Sequence, residues 1–229
     1  MKKTILMLSL ALGICGVANA ALLEGVFNTR GTLAISNGGA TIDFVPTAAG
    51  LDGQITVGTA NGSFAAAAGL GAIQKDILGI APGAINIANF ITLAAYPTYS
   101  FTATNVNAGV FPSTCAGGGA GAICTPNGVF NLTNLAANSS TLAFVVTGHV
   151  TDGSGDPASE FLAVFTAPYS NKSYSQVISD YTKGSISTSV SASFFVIPPA
   201  AVPEPSTTIL MGGALTLVGL VGRRFRAKV

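Results

Sequence analysis

A strict alternation of small polar and apolar residues over Ser185–Ile197 is the feature that most constrains the fold of this chain. Every second residue from 185 to 193 is a serine, and apolar residues and one threonine stand between them. A helix would spread these serines around its circumference, whereas a strand places them on one face. The pattern therefore predicts a long β-strand whose hydroxyl face meets water and whose apolar face meets the core.

Shorter segments repeat this pattern between turn sequences. Residues 32–36 and 41–45 flank Asn37, Gly38 and Gly39, which predicts a hairpin because asparagine and glycine accept positive φ. Other candidate strands lie at residues 54–57, 99–106, 141–150 and 161–167. The segment 141–150 places Leu142, Phe144, Val146 and Val150 on one face, and we expect it to pair with 161–167.

Helical signals are weak. Residues 65–78 would allow only a turn or a short helix, because Gly69 and Gly71 interrupt them. The polar stretch 168–183 is expected to form a loop or a sheet edge. The sequence thus predicts an all-β fold over residues 21–197, either an antiparallel β-sandwich or a barrel-like domain.

The first twenty residues are typical of an export signal. Lys2 and Lys3 precede an apolar run over 5–17, which ends at a small-residue site before Ala20 and Ala21. This order predicts a signal peptide over 1–20, cleaved between Ala20 and Ala21 after passage through the Sec translocon, with signal peptidase as a partner. A first transmembrane helix is the alternative, but the run is short for one.

The last part of the chain consists of three consecutive segments that differ in composition. Residues 198–205 form a proline-rich linker, and 206–222 are apolar enough to predict one transmembrane helix. Residues 223–229 form a basic tail, which the positive-inside rule places in the cytoplasm. The basic stop consists of Arg223, Arg224, Arg226 and Lys228.

The charge balance of the central domain excludes several functions. Residues 21–197 contain four basic and eight acidic residues, a net charge of −4. Nucleic-acid binding is not expected, because it requires clustered lysine and arginine. The sequence has no phosphate loop, dinucleotide fingerprint or zinc-ligand spacing, so no cofactor is expected.

Two cysteines, Cys115 and Cys124, remain after removal of the signal. In an exported chain this pair predicts a disulfide across a glycine-rich loop. Free or metal-binding thiols are the alternative, although a metal would need further histidine or cysteine ligands that the sequence lacks.

Pro203, Glu204 and Pro205 stand directly before the apolar segment and the basic tail. With the N-terminal signal, this arrangement resembles the PEP-CTERM sorting signal. The resemblance implies that an exosortase recognises the C-terminal segment and cleaves near Pro203–Pro205. The protein would be anchored in the inner membrane before processing and reach the cell surface or the extracellular space afterwards. A plain single-pass membrane anchor is the alternative.

The domain itself is also similar to a recurring passenger domain of PEP-CTERM proteins. The similarity rests on residues 42–44, the cysteine loop, and the segments 184–187 and 191–194. Such domains have no assigned chemistry, so the similarity implies a class and no mechanism.

Catalytic signals are weak, and the chain is not expected to be an enzyme. His149 is the only histidine, and no Gly-x-Ser-x-Gly nucleophile elbow is present. We interpret His149 as an exposed or half-buried strand residue on the face opposite Phe144.

A weak calcium candidate consists of Asp152, Asp156 and Glu160, since oxygen ligands on a flexible loop can surround this ion. An EF-hand loop starting at Asp152 would need an acid at Ala163, and the same sequence is typical of ordinary turns. The sequence therefore predicts no metal site, and these three residues are candidates only.

The expected function is that of a structural protein of the cell surface or the extracellular, exopolysaccharide-associated matrix. A carbohydrate-binding or adhesive module and a secreted hydrolase are the alternatives. Exopolysaccharide is a further candidate partner, and tyrosines could supply sugar-stacking surfaces, although we expect them to pack at the surface instead. The tyrosines are Tyr96, Tyr99, Tyr169, Tyr174 and Tyr181.

Overall fold

Strands dominate the computed structural model, which describes residues 22–44, 52–115 and 119–199. The strands are β1 (Gly25–Ser36), β2 (Thr41–Phe44), β3 (Gly53–Ala60), β4 (Gly71–Gln74), β5 (Ile77–Leu78), β6 (Gly83–Ile87), β7 (Ile91–Leu93), β8 (Ser100–Val106), β9 (Ile123–Cys124), β10 (Asn131–Ala136), β11 (Ser139–Thr151), β12 (Ser159–Ser170) and β13 (Ser185–Ile197). Within these described ranges the other elements are the α-helix α1 (Tyr174–Lys183) and 3₁₀ turns at Asn37–Gly39 and Gly62–Ala67.

Hydrogen bonds connect all of these strands into one antiparallel sheet. Its order is β6-β8-β11-β12-β13-β1-β3-β4-β7, with β10 and β9 added beside β11, and β2 and β5 beside β1. The prediction of a mostly antiparallel all-β domain is confirmed. The predicted signal peptide at 1–20, the helix at 206–222 and the tail at 223–229 lie outside the described residues.

The alternating segment forms β13, with the predicted bounds and orientation. It pairs with β1 from Gly25–Val196 to Ser36–Ser185, and its other edge pairs with β12. The serines are exposed or partly exposed, whereas the apolar residues between them are buried. The strand therefore separates a hydroxyl-rich outer face from the core.

Both predicted hairpins are present. In the β1–β2 turn, Asn37 and Gly38 have φ values of 54° and 69°, the left-handed conformation that these residues tolerate. Strands β11 and β12 pair in continuous register from Ser139–Ser170 to Val150–Ser159.

The sheet is strongly curled. Phe27 on β1 and Phe101 on β8 lie four strand positions apart, which would separate them by about 19 Å in a flat sheet. Their ring centroids are nevertheless 5.7 Å apart. The backbone amide of Phe90 also donates a hydrogen bond to the carbonyl of Phe101 on β8 at 2.7 Å. The carbonyl of Phe90 accepts a hydrogen bond from the amide of Lys75, directly after β4, at 2.9 Å. Phe90 therefore links the β8 side of the sheet to the β4 side. This single half-barrel sheet corresponds to the barrel-like alternative rather than to two packed sheets.

Bulges in the ladders support this curl. The register shifts between Phe27 and Thr29 where β1 meets β3, and between Thr147 and Gly148 where β11 meets β8. An extra residue on one strand bends it and increases its local twist. At Gly148 a Cβ atom would lie 2.0 Å from the carbonyl oxygen of Thr102, so only glycine fits this close approach.

Phenylalanine rings fill the inside of the curled sheet. Phe27 stacks on Phe194 of the neighbouring strand at 4.6 Å, and Phe144 stacks on Phe165 at the same distance. The buried phenylalanines are Phe27, Phe44, Phe64, Phe90, Phe101, Phe130, Phe144, Phe161, Phe165 and Phe194. Burial of each such side chain stabilises the fold by about 1.5–3 kcal/mol.

The prediction of a loop or edge over residues 168–183 is wrong, because β12 continues to Ser170 and α1 occupies 174–183. Ser173 and Gln176 form a capping box that satisfies backbone donors at the start of the helix. Tyr174, Val177 and Tyr181 lie on one helical face and are buried against the sheet. The segment 65–78 holds the end of a 3₁₀ turn and then strands β4 and β5. Its glycines end the turn, as Gly69 has a φ of 78°.

Among the helices of the described residues, none is both long and apolar enough to cross a membrane.

Replacement of Phe27 tests the ring packing that closes the sheet. Phe27 is fully buried and contacts rings of three other elements, so Phe27→Ala should lower the free energy of unfolding by about 3–5 kcal/mol. Phe195 on the outer face is 40% exposed, and Phe195→Ala should cost less than about 1 kcal/mol. Urea unfolding followed by circular dichroism measures both, and equal losses would contradict this account of the core.

Candidate functional site

The last described strand ends at Ile197 and is followed by Pro198 and Pro199. The predicted sorting residues Pro203, Glu204 and Pro205 lie outside the described residues. So do the basic residues Arg223, Arg224, Arg226 and Lys228, and the predicted cleavage junction of Ala20 and Ala21.

The predicted disulfide between Cys115 and Cys124 is present in the structure. Cys124 lies on β9, which pairs with β10, so the bond ties the segment after β8 to the sheet. The amide of Thr125 donates to the carbonyl of Pro112 at 2.9 Å, and the Thr125 hydroxyl bonds the Asn131 side chain at 2.8 Å. The disulfide is therefore part of a hydrogen-bonded edge of the domain.

Two of the three calcium candidates lie together in the loop between β11 and β12. The amide of Ser154 donates to Asp152 Oδ1 at 2.9 Å, and its hydroxyl lies 2.9 Å from Asp156 Oδ2. Hydrogen bonds from the side chain and then the backbone of Ser154 hold the pKa of the Asp152 carboxyl below its usual value. These contacts are those of a tight turn that Ser154 organises.

The third candidate, Glu160, lies on β12 directly opposite His149 of β11. His149 is half-buried, as predicted, and Glu160 is exposed. In the described part of the chain, no group of three histidine, cysteine, aspartate or glutamate side chains is placed to hold a metal ion.

The expectation that the tyrosines pack at the surface is wrong for three of them. Tyr169, Tyr174 and Tyr181 are at most 3% exposed, because α1 covers this end of the sheet. Tyr96 and Tyr99 are half-buried, and their rings stack with centroids 4.6 Å apart, so each ring covers one face of the other. The Tyr96 hydroxyl also accepts a hydrogen bond from the Ala66 amide at 3.2 Å.

Five residues lie in a row across the outer face of five strands, and the sequence did not predict this arrangement. Strand pairing places Thr166 beside Ser191, Ser191 beside Arg30, Arg30 beside Thr56, and Thr56 beside Gly71. We call these five residues the Arg30 row. The serine alternation predicted one strand of this face, but the position of Arg30 within it depends on which strands pair and in which register.

A hollow of about 580 Å³ adjoins the Gly71 end of the Arg30 row. Its lining includes Gln54, Thr56, Gly71, Ile73 and Thr92. A Cβ atom built on Gly71 would meet no other atom of the described residues within 4 Å, so the space beside Gly71 is open there.

Removal of the disulfide tests its contribution to stability. The bond closes a loop with a sequence separation of 9, so the double variant Cys115→Ala, Cys124→Ala should lose about 2.5–3 kcal/mol of unfolding free energy. Urea unfolding under non-reducing conditions measures this loss. Reduction of the wild-type protein should give a similar loss, and an unchanged midpoint in both experiments would contradict the prediction.

The buried tyrosines predict a loss of stability at high pH. Burial raises the pKa of Tyr169, and the nearby Tyr181 adds a smaller increase. Burial also raises the pKa of Tyr181, to about 12. Both hydroxyls therefore stay protonated in the folded state at pH values where the unfolded chain, with a tyrosine pKa of about 10, loses its protons. Stability should be full below pH 10 and fall as the pH rises towards about 12.

The Tyr169→Phe variant isolates this effect, because the buried Tyr169 hydroxyl has no hydrogen-bond partner among the residues that the structure describes. At pH 8 its stability should equal or exceed that of the wild type by up to about 1 kcal/mol. Its loss of thermal stability between pH 9 and 11.5 should be smaller than the wild-type loss. Equal alkaline losses would refute the assignment.

Comparison with known proteins identifies the C-terminal segment. Residues 201–227 match the family model described as the PEP-CTERM protein-sorting motif. The searches of curated proteins and of solved structures returned no match. The chain therefore carries a PEP-CTERM sorting motif, which implies exosortase-dependent sorting to the cell surface, with an exosortase as the processing partner.

Proposed function

We propose that the β domain is the cargo of this sorting motif and acts as a structural protein of the cell surface or the extracellular matrix. The match of residues 201–227 to the sorting motif carries this proposal. The motif follows the domain within a few residues, since β13 ends at Ile197. Recognition of the motif would thus determine where the domain is delivered.

The chemistry of the linker supports cleavage near Pro203–Pro205. Two prolines within three residues favour extended backbone, which is the conformation that a protease groove accepts. The apolar segment 206–222 and the basic tail would hold the uncleaved protein in the inner membrane with the motif at the outer surface of that bilayer. Cleavage then separates the domain from its anchor.

The properties of the domain suit a role outside the cytoplasm. A disulfide persists in an oxidising compartment and restricts the unfolded chain there. Low charge and a hydroxyl-rich outer strand favour contacts with neutral, hydrated material over contacts with nucleic acid. The proposed role is accordingly structural and non-catalytic, with His149 and Glu160 serving as a cross-strand pair on the outer face.

Intact mass spectrometry of the protein from its own host tests the proposal. We expect a secreted or surface species that begins at Ala21 and ends near Pro203–Pro205, because signal peptidase and exosortase would each remove one end. A membrane-confined species that retains 223–229 would indicate a plain anchor and would exclude the proposed sorting.

Variants of the motif sharpen this test. Substitution of Pro203, Glu204 and Pro205 by alanine should leave the unprocessed species in the membrane fraction. Substitution of Pro198 and Pro199 by alanine, which alters prolines outside the motif, should leave processing unchanged. Loss of processing in both variants would show that linker stiffness, and not the motif, is required.

A further inference from the structure

We propose that Asn37, at the tip of the β1–β2 hairpin, is a site of spontaneous deamidation. The backbone nitrogen of Gly38 attacks the side-chain amide of Asn37, and the product at this position is an aspartate or an isoaspartate. This inference goes beyond the proposed function, because it depends only on the fold of the domain and on water. The observations that carry it are the differences between three Asn-Gly pairs in the folded chain.

The reaction needs an accessible side-chain amide and a backbone that can move. Hydroxide takes the proton of the Gly38 amide, and the nitrogen then forms a bond to Cγ of Asn37. The side-chain nitrogen leaves as ammonia after taking a proton from water, which returns the hydroxide. Water then opens the cyclic imide at either carbonyl carbon, so the amide becomes a carboxyl group. Glycine favours ring closure, because it has no Cβ atom to hinder the approach of its nitrogen.

The sequence contains the same dipeptide at three places, and all three lie within the described residues. Because the reacting groups are identical, the surroundings in the fold decide which of them reacts. The three pairs are Asn37-Gly38, Asn61-Gly62 and Asn127-Gly128.

The first pair is only weakly restrained. Asn37 and Gly38 are both exposed. Among the described residues the Asn37 side chain makes one hydrogen bond, from Nδ2 to Thr41 Oγ1 at 3.0 Å, which leaves Cγ accessible. A Cβ atom on Gly38 would meet no other atom of these residues within 4 Å, so nothing packs against the turn there. Asn37 also has a φ of 54°, which is less favourable for asparagine than extended backbone, so departure from it costs little.

Asn61 and Gly62 directly follow β3 and are held against the start of β1. The amide of Val26 donates to Asn61 Oδ1 at 2.7 Å, and the amide of Asn61 donates to the carbonyl of Val26 at 2.9 Å. A Cβ atom on Gly62 would lie 2.4 Å from the carbonyl oxygen of Glu24, which shows how closely the two backbones approach. Asn61 is exposed like Asn37, so restraint and not exposure distinguishes the two.

Asn127 and Gly128 are fixed at both reacting groups. Asn127 Oδ1 accepts a hydrogen bond from the amide of Phe130 at 2.9 Å, and its Nδ2 donates to the carbonyl of Gly39 at 3.2 Å. The amide of Gly128, which would be the attacking nitrogen, donates to the carbonyl of Thr125 at 3.3 Å. Reaction at this pair, as at Asn61, first requires local opening of the fold, which costs free energy.

Deamidation changes the hairpin in two ways. It adds a negative charge to a domain that already has more acidic than basic residues. An isoaspartate also inserts a methylene group into the backbone between β1 and β2. Water does not reverse the reaction, so the modified form accumulates for as long as the protein persists.

Peptide mapping of the full-length chain, kept in detergent micelles in water labelled with heavy oxygen, tests this inference. Each deamidation incorporates heavy oxygen from the water, and fragmentation of the peptides assigns it to a residue. Asn37 should become labelled, and faster at alkaline than at neutral pH because hydroxide generates the attacking nitrogen. Asn61 and Asn127 should react at least about tenfold more slowly than Asn37 in the folded chain. In urea with the disulfide reduced, all three should react at similar rates.

The variant Gly38→Ala tests the attacking residue. Its Cβ atom hinders ring closure, so the labelling rate of Asn37 should fall by at least about fivefold. Gly69→Ala is the matched control, since Gly69 has a φ of 78° and equally open surroundings but does not follow an asparagine. It carries similar backbone strain and should leave the labelling rate of Asn37 within about twofold of the wild type. Thermal unfolding of both variants confirms that the fold is retained.

Three outcomes would overturn the inference. They are no labelling of Asn37 in the folded chain, equal labelling rates of Asn37, Asn61 and Asn127 there, and equal losses of Asn37 labelling in Gly38→Ala and Gly69→Ala. These experiments use the unprocessed chain, so their result does not depend on the exosortase.

Discussion

The contact between phenylalanine rings from distant strands holds this fold together. Phe27 stacks on Phe194 beside it and also meets Phe101, which belongs to the opposite side of the curled sheet. A flat sheet would leave these rings exposed on one side, so burial of their surface favours the curl. The bulges in β3, opposite β1, and in β8, opposite β11, supply the bending that the rings require.

Because the rings occupy the inside, the outside of the sheet is free to be polar. The alternation of β13 leaves its serines outside while Phe194 and Val196 complete the core. Arg30 lies among hydroxyl groups for the same reason, since it belongs to the outward-facing residues of β1, whereas Phe27, Thr29 and Leu33 on the other face are buried. One physical constraint thus produces both the stability of the domain and the surface that it presents.

Local sequence patterns predicted the elements that depend on local chemistry. Strand β13, the β1–β2 hairpin and the β11–β12 pair follow from alternation and turn residues. Helix α1 was missed although its capping box, Ser173 and Gln176, is visible in the sequence. The polar residues of that segment hid a narrow apolar face formed by Tyr174, Val177 and Tyr181. The same error placed the tyrosines at the surface, because a helix that packs over the sheet buries them.

The sequence by itself determined the β class of the domain, the partnership of its two cysteines and the sorting motif at 201–227, because each depends on short-range order along the chain. Only the tertiary structure decided that the sheet is single and curled, since that depends on contacts between residues such as Phe27 and Phe101, far apart in the chain. The tertiary structure also decided which residues form the Arg30 row. Pairing and register bring Thr166, Ser191, Arg30, Thr56 and Gly71 together, and no pattern within one strand specifies its neighbours.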